Sequence, residues 1–263
     1  MAAIKLRQIQ EDPDRKDLFG ILGEYIQPDS TTPVHQAAAT FADGAKESAS
    51  SEEYFWAFWG DIFSIAEQIP HDNPAQDKLA AFIRELTLVP ETGNKVWEAR
   101  VWIGLPLLGP AVREHLDAVT GHKRVSFHAF LARLWHAGVS PATETTAIWM
   151  LRDALEEDTK PAGDGSVFDT QLAVAAVYIE YAGATIVQEL ALQPDPQLDE
   201  EARRLLRGGK LWKDESGLTL ARFNFWGDRL TVVAESAASN EVKAQALHAA
   251  RLIEVWYETR LSK

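Results

Sequence analysis

Cysteine is absent from all 263 residues. That removes disulfides, thiolate metal sites and cysteine nucleophiles together. Runs of lysine or arginine are missing too, and 39 acidic side chains against 26 basic ones leave a net charge of −13. A field of that sign repels phosphate backbones and anionic headgroups, so neither nucleic acid nor a membrane is expected as a partner. Residues 1–10 hold no apolar stretch of the kind a secretory signal needs, and cytoplasmic residence is the default expectation. There is no glycine-rich phosphate loop, no G-x-S-x-G elbow and no H-E-x-x-H pair. No metal site or cofactor is expected from the remaining residues. Strand-like alternation and internal repeats are also wanting.

What is present is a balance of 46% apolar and 25% charged residues, with nine tryptophans. Each indole can bury a large area, so an aromatic-rich core is expected. The organising stretch runs from about Val167 to Gln193 and is apolar almost throughout. Asp164, Ser166 or Asp169 can cap its start, and Pro194 ends it. A helix apolar on nearly every side belongs in a protein interior or a membrane. Glu180 and Glu189 argue for the interior, because a carboxylate in hydrocarbon costs roughly 2.5 kcal/mol or more.

Helix punctuation recurs along the rest of the chain. Asp12-Pro13, Thr32-Pro33, Asn73-Pro74 and Gly109-Pro110 read as helix starts, and Pro70 and Pro90 as stops. Ser50 with Glu53 has capping-box spacing, Ser126 reads as the cap of a helix through Ala137, and Pro141 with Thr143 leads into another. Residues 91–106 carry the doublets Val96-Trp97 and Val101-Trp102 and read as irregular or partly helical. The expected fold is all-α: a single globular multi-helix domain of about ten or eleven helices around the central apolar helix. Residues 1–50 form N-terminal helices, residues 51–263 the main helical domain, with Lys160–Gly165 as a lobe boundary within one shared core.

Several stretches occur together. They are Tyr54-Phe55-Trp56, Ile69-Pro70-His71-Asp72, Pro74-Ala75-Gln76-Asp77, and Trp102 with Leu105-Pro106-Leu107-Leu108-Gly109-Pro110 and Arg113-Glu114. Ala147-Ile148-Trp149, Leu151-Arg152-Asp153-Ala154-Leu155-Glu156, Gly209-Lys210-Leu211-Trp212-Lys213 and Phe225-Trp226 continue the series. In this order, over Glu52 to Glu235, they resemble a fungal family of uncharacterised proteins known only as a domain of unknown function. Phe223 and Gly227 depart from it, standing where bulkier or more polar residues are expected. The resemblance implies a filamentous-fungal source and an intracellular protein, and it implies no reaction.

Candidate chemistry is sparse. Glu180, an isolated carboxylate on the apolar helix, would have a raised pKa if buried and unpaired, which suits a general acid; an arginine partner would make it structural. His71, beside Asp72 and Asp77, can serve as a base; the plainer reading is a polar turn whose Asp72 or Asn73 caps the next helix. Arg113, read near a helix start, can fork onto an anion or simply pair with a neighbour. Asp153, Glu156, Glu157 and Asp158 gather at a helix end, where magnesium could be held against a diphosphate; a solvated helix end explains them as well. Trp97, Trp102 and Trp149, with Arg113, Arg152 and Asp153, could line a pocket for a small apolar ligand, and could equally be core.

Two functions follow as expectations. One is a protein that binds or transforms an apolar metabolite in a tryptophan-lined cavity, in its boldest form a noncanonical isoprenoid-type cyclase. The other is a helical protein–protein interaction module without catalysis.

Overall fold

A computed structural model describes residues 3–7, 16–139, 142–158 and 160–261. Within them lie eleven α-helices and one two-stranded hairpin, so the chain is all-α. They divide into two compact units. One runs up to Val119 and takes in 137–142; the other comprises Thr120–His136 and the chain from Thr143 onward. Lys160–Gly165 falls inside the second. The helix start read at Asp12-Pro13 and the lead-in at Pro141 lie outside the described residues.

The first unit contains α1 (Lys16–Tyr25), α2 (Val34–Gly44), α3 (Glu52–Gln68), α4 (Ala75–Leu86), the hairpin β1 (Lys95–Val96) and β2 (Ala99–Arg100), and α5 (Leu108–His115). Ser51, rather than Ser50, caps α3, its hydroxyl accepting from the Tyr54 amide at 3.2 Å. The stitching between α3 and α4 explains the Ile69–Asp77 motif. Asn73 accepts from the Ala75 amide at 3.0 Å, and buried Gln76 donates to the carbonyls of Ala66 and Ile69 at 3.0 and 2.9 Å. Phe55, Phe58, Trp59, Ile62 and Phe63 of α3 are buried. The Trp102 ring lies 5.5 Å from Phe55 and Phe58 and 5.6 Å from Phe41, edge to face. Contacts of this geometry contribute about 0.5–1.5 kcal/mol each beyond burial.

Residues 91–106 are irregular as expected, except that Lys95 pairs with Arg100 and Val96 with Ala99 in a hairpin that the sequence did not signal. The stretch through Leu107 carries an unusual backbone. Trp97 (φ 49°), Glu98 (64°), Trp102 (65°), Leu105 (42°) and Leu107 (62°) all adopt left-handed conformations without being glycine. Each costs roughly 1–2 kcal/mol, so packing must hold them. Trp102, Leu105 and Leu107 are buried, and the Trp59 indole donates to the Pro106 carbonyl at 2.7 Å.

The second unit contains α6 (Gly121–His136), most of α7 (Ala142–Leu155), α8 (Ser166–Leu192), α9 (Glu200–Leu205), α10 (Leu220–Ala234), α11 (Asn240–Trp256) and a terminal π-helical turn (Tyr257–Leu261). α6 starts earlier than expected, and Ser126 is buried inside it instead of capping it. The central helix α8 follows Gly165, with the Ser166 amide donating to Asp164 at 3.0 Å. It is long and apolar enough to cross a membrane by composition, but 67% of its most apolar window is buried in the protein, as a core helix requires. Glycine permits two close contacts. A Cβ on Gly183 would lie 2.3 Å from the Trp256 ring, and one on Gly227 would lie 2.9 Å from Ile253. The small residue at 227 is therefore a packing requirement of α10 on α11.

Polar rungs cross the α6–α8 seam. His128 Nδ1 lies 2.9 Å from the Tyr178 hydroxyl, His136 Nδ1 lies 3.0 Å from Thr185 Oγ1, and the Trp135 indole donates to Glu189 at 3.0 Å. From His128 to His136 the partners advance from Tyr178 to Thr185, so the two helices run in the same direction. On a helix as uniformly apolar as α8, such rungs fix a register that hydrophobic contact alone would leave loose.

Candidate functional site

The most completely satisfied polar site belongs to the second unit and centres on Glu156, which is fully buried. Its Oε1 accepts from Arg222 Nε at 2.6 Å and from the Trp226 indole at 2.7 Å. Its Oε2 accepts from the Gly209 amide at 2.7 Å and from Arg222 Nη2 at 3.1 Å. Four donors thus occupy the carboxylate's four lone-pair positions. Arg222, also fully buried, spends its other protons on the carbonyls of Leu206 and Gly217 at 2.8 Å and of Arg207 at 3.3 Å. The Leu211 amide donates to the Glu156 carbonyl at 2.7 Å. This pair orders the loop between α9 and α10 and explains the Gly209–Lys213 motif. A Cβ on Gly209 would meet Glu156 at 2.8 Å. The Trp212 indole donates to the Glu215 carbonyl at 2.9 Å, and its ring lies 5.2 Å from Phe225. With no lone pair or proton to spare, the site is scaffolding.

The same contacts revise the reading of the acidic patch. Glu156 is not solvated but buried against Arg222, Glu157 lies 3.6 Å from Lys210, and Asp153 accepts from Arg152 at 2.9 Å. Among the described residues, no group of three or more metal-ligating side chains gathers.

The other sequence candidates divide between the units. Glu180 is exposed, on the one outward stripe of α8 with Ala184 and Gln188, instead of enclosed in the core. The half-buried carboxylate of α8 is Glu189 instead. Burial raises its pKa, the Trp135 indole opposes that, and Glu144 adds to it. Tyr178 is fully enclosed, and burial pushes its hydroxyl well above the phenol range against the pull of Arg124. Arg113 is exposed in the last turn of α5, not at its start, where a cation suits the helix dipole but cannot use the N-terminal amides. His71 is part-buried in the α3–α4 turn, where Asn73 does the capping; its Nδ1 is enclosed without a hydrogen bond among the described residues. Trp102 is core. Trp149 donates to the Leu205 carbonyl at 3.0 Å, joining α7 to α9.

Trp97 differs from all of these. It stands in the hairpin turn, 60% exposed. Its indole donates to Glu52 Oε2 at 2.8 Å, while the Trp56 indole donates to Glu52 Oε1 at 3.1 Å. One carboxylate, at the first residue of α3, therefore holds two indole edges while Trp97 stays mostly exposed. Glu53 follows it, exposed, its carboxyl held below the usual range by its own backbone amide and by Ser51. The nearby cations are matched elsewhere: Lys95 lies 3.6 Å from Glu98, and Arg100 pairs with Glu91. Sequence reading missed Glu52 as a site residue because nothing in α3 signals a partner 45 positions away. The hairpin itself was hidden because Trp-Glu replaces the Asn-Gly or Asp-Gly that such a turn normally needs.

Two clefts are described, both in the second unit. The larger, about 800 Å³, lies between α10, α11 and the π-helical turn, lined by residues such as Asp228, Thr231, His248, Arg251 and Glu254. The smaller, about 450 Å³, lies beside Leu198 and Lys213. Neither is lined by a tryptophan.

A family model described as "Protein of unknown function (DUF3632)" matches residues 59–230. No curated protein and no solved structure matches the chain.

Proposed function

We propose, for a chain that belongs to the DUF3632 family of proteins of unknown function, a helical protein–protein interaction module without catalysis, docking through the Trp97 hairpin. The observation that carries this is an indole 60% exposed on a left-handed backbone and braced by a hydrogen bond to Glu52. Water gains nothing from a large ring held outward at a conformational cost, whereas tryptophan is among the residues that dominate binding energy at protein interfaces. Strained backbone concentrates where a site must be pre-formed. The buried polar groups of the second unit support the same reading, since Glu156 and Arg222 are consumed by structure.

The test is affinity capture from extracts of the native source, comparing the wild-type chain with Trp97→Ala by quantitative mass spectrometry. A discrete set of proteins retained by the first and lost by the second is expected. Identical sets from two equally folded baits would end this reading.

One observation favours a second reading, a small-molecule site: the 800 Å³ cleft exceeds the roughly 300 Å³ that ligand pockets require. Its lining is mainly polar, so the ligand would be polar rather than the apolar metabolite suggested by the tryptophan content. A thermal-shift hit that survives Thr231→Trp, which fills the cleft, would count against it.

A further inference from the structure

Resting on the docking role of the hairpin, we propose that Trp97, Glu52 and Trp56 form a seat for a cationic side chain, lysine or arginine, in a basic segment of the partner protein. Three features choose this chemistry. Trp97 is 60% exposed, and the faces of its indole carry the negative lobe of the ring quadrupole, which attracts cations. Both indoles point their N–H edges at Glu52, so its charge is held at the rim of the two rings instead of swinging into solvent. The local basic residues are already matched, Lys95 by Glu98 and Arg100 by Glu91, while Glu52 and Glu53 face no cation in the described contacts. An arriving cation thus finds ring face and net negative charge together, and an anion finds neither. The net charge of −13 strengthens attraction at long range but cannot select this spot. Selection comes from the indole.

The test uses the full chain and a fluorescein-labelled octalysine peptide, read by anisotropy, with an octaglutamate peptide as control. Wild-type protein binds octalysine and not octaglutamate. Trp97→Ala, which leaves every charge in place, weakens octalysine binding about three- to fivefold, the loss expected for one surface cation–π contact. Trp97→Phe, a gentler change that keeps a ring, falls between the two. Tetramethylammonium chloride competes more strongly than sodium chloride at equal ionic strength, because only the former is drawn to ring faces. Equal octalysine binding by wild type, Trp97→Phe and Trp97→Ala overturns the inference, since acidity alone would then explain it. If that happens while Trp97→Ala still loses its captured proteins, the hairpin docks a partner by other chemistry and only the cationic seat is wrong.

Discussion

At the scale of single residues, conformational cost and desolvation can each be tested by one substitution. Glu98 has φ 64° and an exposed side chain whose only described partner is Lys95 at 3.6 Å, a surface pair of negligible value. Glycine takes the left-handed conformation freely but loses more chain entropy on folding. Glu98→Gly should therefore stabilise the protein by about 0.5–1 kcal/mol in urea unfolding. A loss of stability would show that the hairpin is not held in strain. Glu189 offers the second test. Burial lifts its pKa above that of the unfolded chain, so its favourable contribution is full below the ordinary carboxylate range and is lost as pH rises through the raised value. Glu189→Gln keeps an acceptor for the Trp135 indole and no longer titrates. Its stability relative to wild type should rise between pH 4 and pH 7, and a difference constant across that range would refute the assignment.

At the scale of elements, the sequence announced most of the helices and few of the contacts. Proline and capping residues punctuate the chain, and a near-continuous apolar run can only be a core helix, so α3, α4 and α8 were legible from local pattern. The partner of Glu156 was not, because Arg222 lies 66 positions away. One sign was available: Arg222 shares the 3–4 spacing of Phe223, Trp226 and Leu230, and an arginine on an apolar stripe needs a buried carboxylate. Glu180 misled for a related reason, since even a helix apolar all round keeps an outward stripe. Removing one member of a buried pair leaves the other charge uncompensated. Glu156→Gln should therefore cost about 3–5 kcal/mol in denaturant unfolding. Replacing both members with Met and Leu should not restore stability, because the Gly209 amide, the Trp226 indole and the carbonyls of Leu206 and Gly217 would lose their partners. Full recovery in the double variant would mean that the loop is ordered by something else.

At the scale of the whole molecule, charge and family extent set the terms. The family match covers residues 59–230, so Trp97 lies within it while Glu52 and Trp56 lie just before it. The seat is thus assembled from one residue of the matched region and two outside it. The net charge of −13 and the sequence pI near 5.0 decide colloidal behaviour. Like-charged molecules repel at neutral pH, and that protection fades as carboxylates take up protons near the pI. With Trp97, Val167 and Leu192 exposed, apolar contact between copies then meets little opposition. Light scattering should show self-association rising steeply as pH falls from 7 toward 5. Trp97→Ala should reduce it only if the hairpin is the adhesive surface, whereas equal association by both proteins would place the contact elsewhere. Salt separates this from unfolding: at pH 7, screening should promote the same association, with far-UV circular dichroism unchanged.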